Sequence, residues 1–162
     1  MNKGFTLLEL MIVIVILGVL SSLITGNFLN SLKKGRDAQR KADLGNIQKA
    51  LEMYYEDNRA YPTSLAFGGQ LCYPGQNGCS TKIYMQKLPN DPKPGINYVY
   101  KIDPDGGGVY YQLYACLEND QQVLPYVSQN ASGVSCSTNC KDPANPNPVP
   151  CIFGISSTNT AP

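Results

Sequence analysis

Histidine and tryptophan are absent from the 162 residues, and charged side chains make up only 15% of them. Without histidine there is no Ser-His or Cys-His nucleophile pair, no imidazole acid or base, and no His-ligated zinc or haem. Thirteen Lys+Arg against twelve Asp+Glu leave a formal charge of +1, too small an excess for a phosphate-binding surface, so no general nucleic-acid binding is expected. No phosphate-binding loop is present either. The sequence is therefore not read as an enzyme, and it implies no cofactor. Proline is also missing before Pro62, and cysteine before Cys72.

What is present is unevenly spread. Residues Phe5 to Ile24 hold most of the aliphatic side chains, with only Gly18 among the apolar residues from Leu10 to Leu20. Twenty helical residues span about 30 Å, the thickness of a bilayer core. All six cysteines, Cys72, Cys79, Cys116, Cys136, Cys140 and Cys151, lie in the Pro-, Gly-, Asn- and Tyr-rich part after Asn58. An even cysteine count in a loop-rich region points to disulfides and an oxidising compartment. The chain thus reads as a membrane-inserted N-terminus carrying an exported head. Lys33, Lys34, Arg36, Arg40 and Lys41 follow the apolar run and argue for the opposite topology, but they alternate with Asp37 and Asp43, and six unexplained cytosolic thiols weigh more. A secretory signal cut after Ser21-Ser22 is the competing reading of the same run.

Helix is expected well beyond the apolar stretch. Leu44, Ile47, Leu51, Tyr54 and Tyr55 fall at a 3-4 spacing that makes one buried stripe, with Arg40, Lys41, Lys49, Glu52 and Glu56 assigned to the opposite, solvated side. A helix from Phe5 to Asp57 would be roughly 80 Å long. Its weakest point is expected at Gly26-Asn27, because each interior glycine costs about 1 kcal/mol relative to alanine. Pro62 ends it.

The segment Gly4-Phe5-Thr6-Leu7-Leu8-Glu9-Leu10, continuing as Met11-Ile12-Val13-Ile14-Val15-Ile16-Leu17, resembles the class III signal of type IV pilins and type II secretion pseudopilins. A second stretch, Leu88-Pro89-Asn90-Asp91-Pro92, is similar to a segment before the sheet of major pseudopilins and short pilins. The resemblance implies cleavage between Gly4 and Phe5 by a membrane prepilin peptidase, methylation of the new Phe5 amine, and assembly into a helical homopolymer by a platform and a cytoplasmic ATPase. The implied organisation is a leader at 1–4, a transmembrane and filament-core helix at 5–25, an amphipathic helix at 26–57, and a disulfide-stabilised β-rich head at 58–162 with a Pro-rich loop at 141–150. The fold class is α+β, a long helix on a small antiparallel sheet.

Glu9 has two readings. An isolated carboxylate in a membrane helix costs about 2.5–3.5 kcal/mol on insertion scales. It either sits at the headgroup interface, stabilised by the helix dipole, or pairs with the Phe5 amine of a neighbouring subunit and fixes axial register. The resemblance favours the second.

In the head, Ile96–Ile102 and Val109–Leu117 flank a Gly-rich turn and predict a hairpin. Val109, Tyr111, Leu113, Ala115 and Leu117 are expected to face the helix. Val123–Val127 and Ile152–Ile155 are further strand candidates. Six cysteines allow fifteen connectivities; sequence proximity favours Cys72–Cys79 and Cys136–Cys140, leaving Cys116–Cys151. No metal site is assigned, zinc being disfavoured without histidine. Asp103 and Asp105 form a weak calcium candidate, by resemblance to the ion of major pseudopilins, and Asn130-Ala131-Ser132 fits a glycosylation sequon.

Three functions compete. First comes a pilin of a type IV pilus, held in the cytoplasmic membrane before assembly and displayed at the cell surface afterwards. The alternative is a pseudopilin of a type II secretion system. The third is a membrane-anchored binding module that never polymerises. The sequence leaves open major or minor subunit status, and adhesion, motility or DNA uptake as the downstream role.

Overall fold

The computed structural model describes residues 4–75, 78–103, 107–120, 133–137, 139–142 and 145–158. The described residues form one helix, α1 (Leu7–Asn58), followed by seven strands: β1 (Leu71–Gly75), β2 (Gly78–Met85), β3 (Val99–Ile102), β4 (Tyr111–Cys116), β5 (Asn139–Asp142), β6 (Asn145–Pro150) and β7 (Ile152–Ser156). The architecture is the expected α+β one.

Helix α1 has 52 residues, about 78 Å at 1.5 Å per residue. Thr6 caps its start, and Glu9 completes the capping box; together they satisfy donors that the first turn would leave unpaired. At the other end Arg59 takes a left-handed conformation with φ 56°, and its N–H donates to the Tyr55 carbonyl at 2.8 Å. The Asn58 side-chain amide donates to the Tyr54 carbonyl at 2.9 Å. Pro62 lies just beyond and cannot rejoin the helix. At Gly26-Asn27, the expected weakest point, helical backbone is continuous and does not melt, since one weak residue in a long helix forfeits little while its neighbours keep their hydrogen bonds.

The second half of α1 supplies the core. Leu44, Ile47, Ala50 and Leu51 are buried, and Tyr54 and Tyr55 pack against them. The central sheet has the order β3-β4-β7, all antiparallel. The predicted hairpin is present, with Tyr100 opposite Leu113 and Ile102 opposite Tyr111. Tyr111, Leu113, Ala115 and Leu117 are buried as expected, but Val109 is 50% exposed because it precedes β4 in the turn. Tyr114, on the other face of β4, is also fully buried and packs with Ile152, Val99, Val134 and Cys136. Both faces of the strand are therefore covered.

Two small hairpins flank this sheet, β1-β2 and β5-β6. The second corrects the expected loop at 141–150: Asn145–Pro150 pairs with Asn139–Asp142. Its prolines are compatible with a strand at the edge of a two-stranded ribbon, where one side of the backbone makes no ladder bonds. Strand β7 matches the candidate at Ile152–Ile155, whereas the candidate at Val123–Val127 and the sequon at Asn130 lie outside the described residues. Gly108 closes the β3–β4 connection onto the end of α1: it has φ 64°, and its carbonyl accepts from the Tyr61 N–H at 2.8 Å.

The structure bonds all six cysteines, as Cys72–Cys79, Cys116–Cys136 and Cys140–Cys151. The first agrees with the sequence expectation. The other two replace Cys136–Cys140 and Cys116–Cys151. Cys140 lies on β5 and Cys151 directly follows β6, so the hairpin itself brings them together, while Cys136 closes onto the end of β4.

Candidate assembly site on the N-terminal helix

Among the described residues, the first part of α1, from 7 to 22, is exposed at every position. Its large apolar side chains from Phe5 to Leu20 are between 46% and 85% exposed. Leu8, Met11, Ile12, Val15 and Ile16 line one continuous apolar groove along it. Soluble monomers rarely leave so long an apolar surface uncovered. Among the described residues no helix is long and apolar enough to cross a membrane. The described part of the run ends at Ser22, and Leu23 and Ile24, which continue it in the sequence, lie outside the described side chains.

Glu9 is the one charged side chain between Gly4 and Asn30. Its N–H donates to the Thr6 hydroxyl at 3.2 Å. Its carboxylate accepts from the Thr6 N–H and hydroxyl, each at 3.5 Å. Contacts that long are weak, so the carboxylate is oriented toward the helix start without being used up there. Gly4 and Phe5 precede the helix and are exposed.

A buried ionic cluster fixes the helix to the head. Arg40, assigned from sequence to the solvated side, is completely buried. Its guanidinium donates twice to Asp91, at 2.7 and 2.8 Å, once to Asp37 at 2.8 Å and once to Glu118 at 2.7 Å. Arg36 makes a second bidentate pair with Glu118, at 2.9 and 2.6 Å. Asp37 accepts in addition from the backbone N–H groups of Glu118 and Asn119, both at 2.9 Å. Asp91 accepts from the Lys93 N–H at 2.8 Å. One turn of α1 thus holds both the Leu88–Pro92 segment and the chain leaving β4.

The charges respond as such geometry requires. Hydrogen bonding from Arg36, opposed by burial and reinforced by Arg40, holds the Glu118 carboxyl down at about 2. Burial works against the Arg40 charge, yet the hydrogen bonds it donates to Asp91 and Glu118 outweigh it and raise its pKa. Further along α1, acids meet tyrosine hydroxyls: Tyr98 donates to Asp43 at 2.8 Å, Tyr61 and Tyr111 to Glu52 at 3.0 and 3.3 Å, and Tyr84 to Asp57 at 2.6 Å. Burial first, then the carboxylate, raises Tyr98 and Tyr61, and Tyr84 reaches about 12.

The cluster was missed in sequence because charge was read as exposure. A signal existed: Asp37 and Arg40 continue the spacing of Leu44, Ile47 and Leu51, so they share the buried stripe. The finding also revises the basic run, since Arg36 and Arg40 are neutralised within the fold. Among the described residues no group of three His, Cys, Asp or Glu side chains is placed to hold a metal ion. Asp103 is buried beside β3, and Asp105 lies outside the described residues.

Two family models match. Residues 1–25 match the prokaryotic N-terminal methylation motif, and residues 27–123 match type II secretion system protein G. Among similar proteins is the type II secretion system core protein G of Pectobacterium carotovorum, 36% identical over 112 residues, covering 69% of this chain and 66% of that protein. The core protein G of Escherichia coli K12 is 38% identical over 120 residues, covering 70% and 81%. That of Vibrio cholerae is 36% identical over 112 residues, covering 67% and 76%. The chain thus spans about two thirds of the length of the first of these relatives, and β5 to β7 lie beyond the matched family segment. No solved structure matches. These matches reverse the order of the sequence reading: the secretion pseudopilin comes before the type IV pilin.

Proposed function

Because the chain belongs to the type II secretion system protein G family, the pseudopilins, we propose that it is a structural subunit of a secretion pseudopilus, built by lateral packing of its N-terminal helix against copies of itself. The observation that carries this reading is the uncovered apolar surface from Phe5 to Leu20, attached to a folded head through the Arg40 cluster. In the membrane, lipid covers that surface; in the filament, neighbouring helices do. Residues 5–25 span the cytoplasmic membrane before assembly, and the disulfide-bonded head stands on the oxidising, periplasmic side.

A prepilin peptidase removes Met1 to Gly4, and the new Phe5 amine is methylated. That amine then lies one residue from the helix cap, next to a carboxylate held only by long hydrogen bonds. Glu9 of an incoming subunit pairs with the Phe5 amine of its neighbour, which removes the cost of a lone carboxylate in an apolar core and sets the axial step. Growth is driven from outside the chain, by the assembly platform and its ATPase.

The test is mass spectrometry of the N-terminal peptide from the cell envelope. A peptide beginning with methylated Phe5 is the expected result. A chain retaining Met1 to Gly4, or beginning after Ser22, overturns the reading.

A further inference from the structure

We infer that Lys33 and Lys34 bind anionic phospholipid headgroups of the outer leaflet, setting how deeply the subunit sits in the membrane before it is assembled; this rests on the membrane-spanning reading above. Five basic residues follow the apolar run, and the fold treats them differently. Arg36 is paired with Glu118, and Arg40 is buried among three carboxylates. Lys41 lies with its ammonium 5.4 Å from the centre of the Phe153 ring. Lys33 and Lys34 are exposed and, among the described residues, bonded to nothing.

Their nearest acid in sequence is Asp37, one turn further along α1. Its carboxylate is taken up by Arg40 and by the backbone N–H groups of Glu118 and Asn119. The two ammonium groups are thus an uncompensated positive pair beside a surface that supplies negative charge.

Position fits as well. Lys33 lies nine residues beyond Ile24, about 13 Å along the axis. Helical side chains slope toward the helix N-terminus, so a lysine reaches back about one turn, ~5 Å, toward the bilayer. That places both ammonium groups at headgroup level, above an interfacial stretch that mixes Asn27, Asn30 and Ser31 with the apolar Phe28, Leu29 and Leu32. Fixed in register by the rigid helix, they act as a collar above the apolar span.

The test uses the absence of tryptophan from the chain. Leu20→Trp, on the exposed apolar surface, is a single reporter at the upper end of the span. The full chain is placed in vesicles of phosphatidylcholine with one tenth brominated phosphatidylglycerol, and separately with one tenth brominated phosphatidylcholine. Electrostatic attraction near a membrane surface corresponds to about fivefold in local concentration per lysine. Quenching by the anionic lipid is expected to show an enrichment of that order, to shrink in 0.5 M salt, and to vanish in Lys33→Gln/Lys34→Gln. Equal quenching by both lipids overturns the inference while leaving the membrane span intact. Absence of quenching by either lipid overturns the span itself. Unchanged lipid enrichment in the double variant together with lost filament yield also overturns it, and would assign the lysines to a carboxylate on a second copy of the chain.

Discussion

Arg40→Met is the substitution that most directly probes how the head holds the helix. Methionine keeps much of the aliphatic stem and removes all four charged hydrogen bonds. The acids left behind are unequally compensated. Glu118 keeps Arg36, and Asp37 keeps two backbone N–H groups. Asp91, whose side chain is fully buried, keeps the Lys93 N–H. Removing one partner of a buried pair costs about 3–5 kcal/mol, because the other charge stays desolvated. Against a total of about 5–15 kcal/mol for a typical domain, that is a large loss. Urea unfolding of the full chain in detergent, followed by the near-ultraviolet signal of the buried tyrosines, should show it as a lowered midpoint at unchanged slope. Adding Asp91→Asn should return about 1–2 kcal/mol, since a neutral amide tolerates burial better than an unpaired carboxylate. Arg40→Lys should be nearly as harmful as Arg40→Met, because a single ammonium cannot hold the two oxygens of Asp91 and also reach Asp37 and Glu118. A loss under about 1 kcal/mol for Arg40→Met would refute the reasoning, since it would put the charge within reach of water.

The remaining predictions concern pH, backbone and disulfides. The Glu118 pKa is lower folded, about 2, than its ordinary 4.5, so its contribution is full above the ordinary value and is lost as pH falls from 4.5 toward 2. Its partner Arg36 is 35% exposed; with that screening the loss is about 1–2 kcal/mol, and Glu118→Gln should remove this part of the acid dependence measured in the same unfolding assay. Gly108→Ala should cost about 1–3 kcal/mol, because at φ 64° its new Cβ would lie 3.1 Å from the Ala60 Cβ and the Tyr61 carbonyl oxygen; an unchanged midpoint would contradict this. Non-reducing peptide mapping should join Cys116 to Cys136 and Cys140 to Cys151, and a Cys136–Cys140 peptide would show the head to be wired differently.

Much of this fold could be read from local pattern. The stripe through Leu44, Ile47 and Leu51 and the β3–β4 hairpin both depend on neighbours in sequence. What escaped depends on distant partners. Arg40 meets Asp91 and Glu118 from 51 and 78 residues away, and nothing in its local surroundings distinguishes a buried guanidinium from a solvated one except its phase with the stripe. The cysteines failed for a related reason: proximity in sequence chose Cys136–Cys140, whereas strand pairing decides which sulfurs meet. The Pro-rich segment was judged by its residues alone, and a two-stranded ribbon accepts prolines that a central strand would not. The N-terminal segment was legible because its described side chains stay exposed rather than packing on the head, so its pattern is not overwritten by the fold.

The measurement that tests the central claim most directly is filament incorporation of Glu9→Gln beside Glu9→Ala. Glutamine at the third helical position can still accept from the Thr6 N–H and so preserves the capping box, but it carries no charge. The two roles of Glu9, closing the helix start and pairing with a neighbour's amine, are thereby separated. Both variants should insert and lose the leader normally, and both should be absent from pseudopili isolated from the cell envelope after cross-linking, in cells expressing them at wild-type level. If Glu9→Gln enters filaments as the wild type does and only Glu9→Ala fails, the carboxylate serves the helix cap alone and the proposed intersubunit pair does not exist.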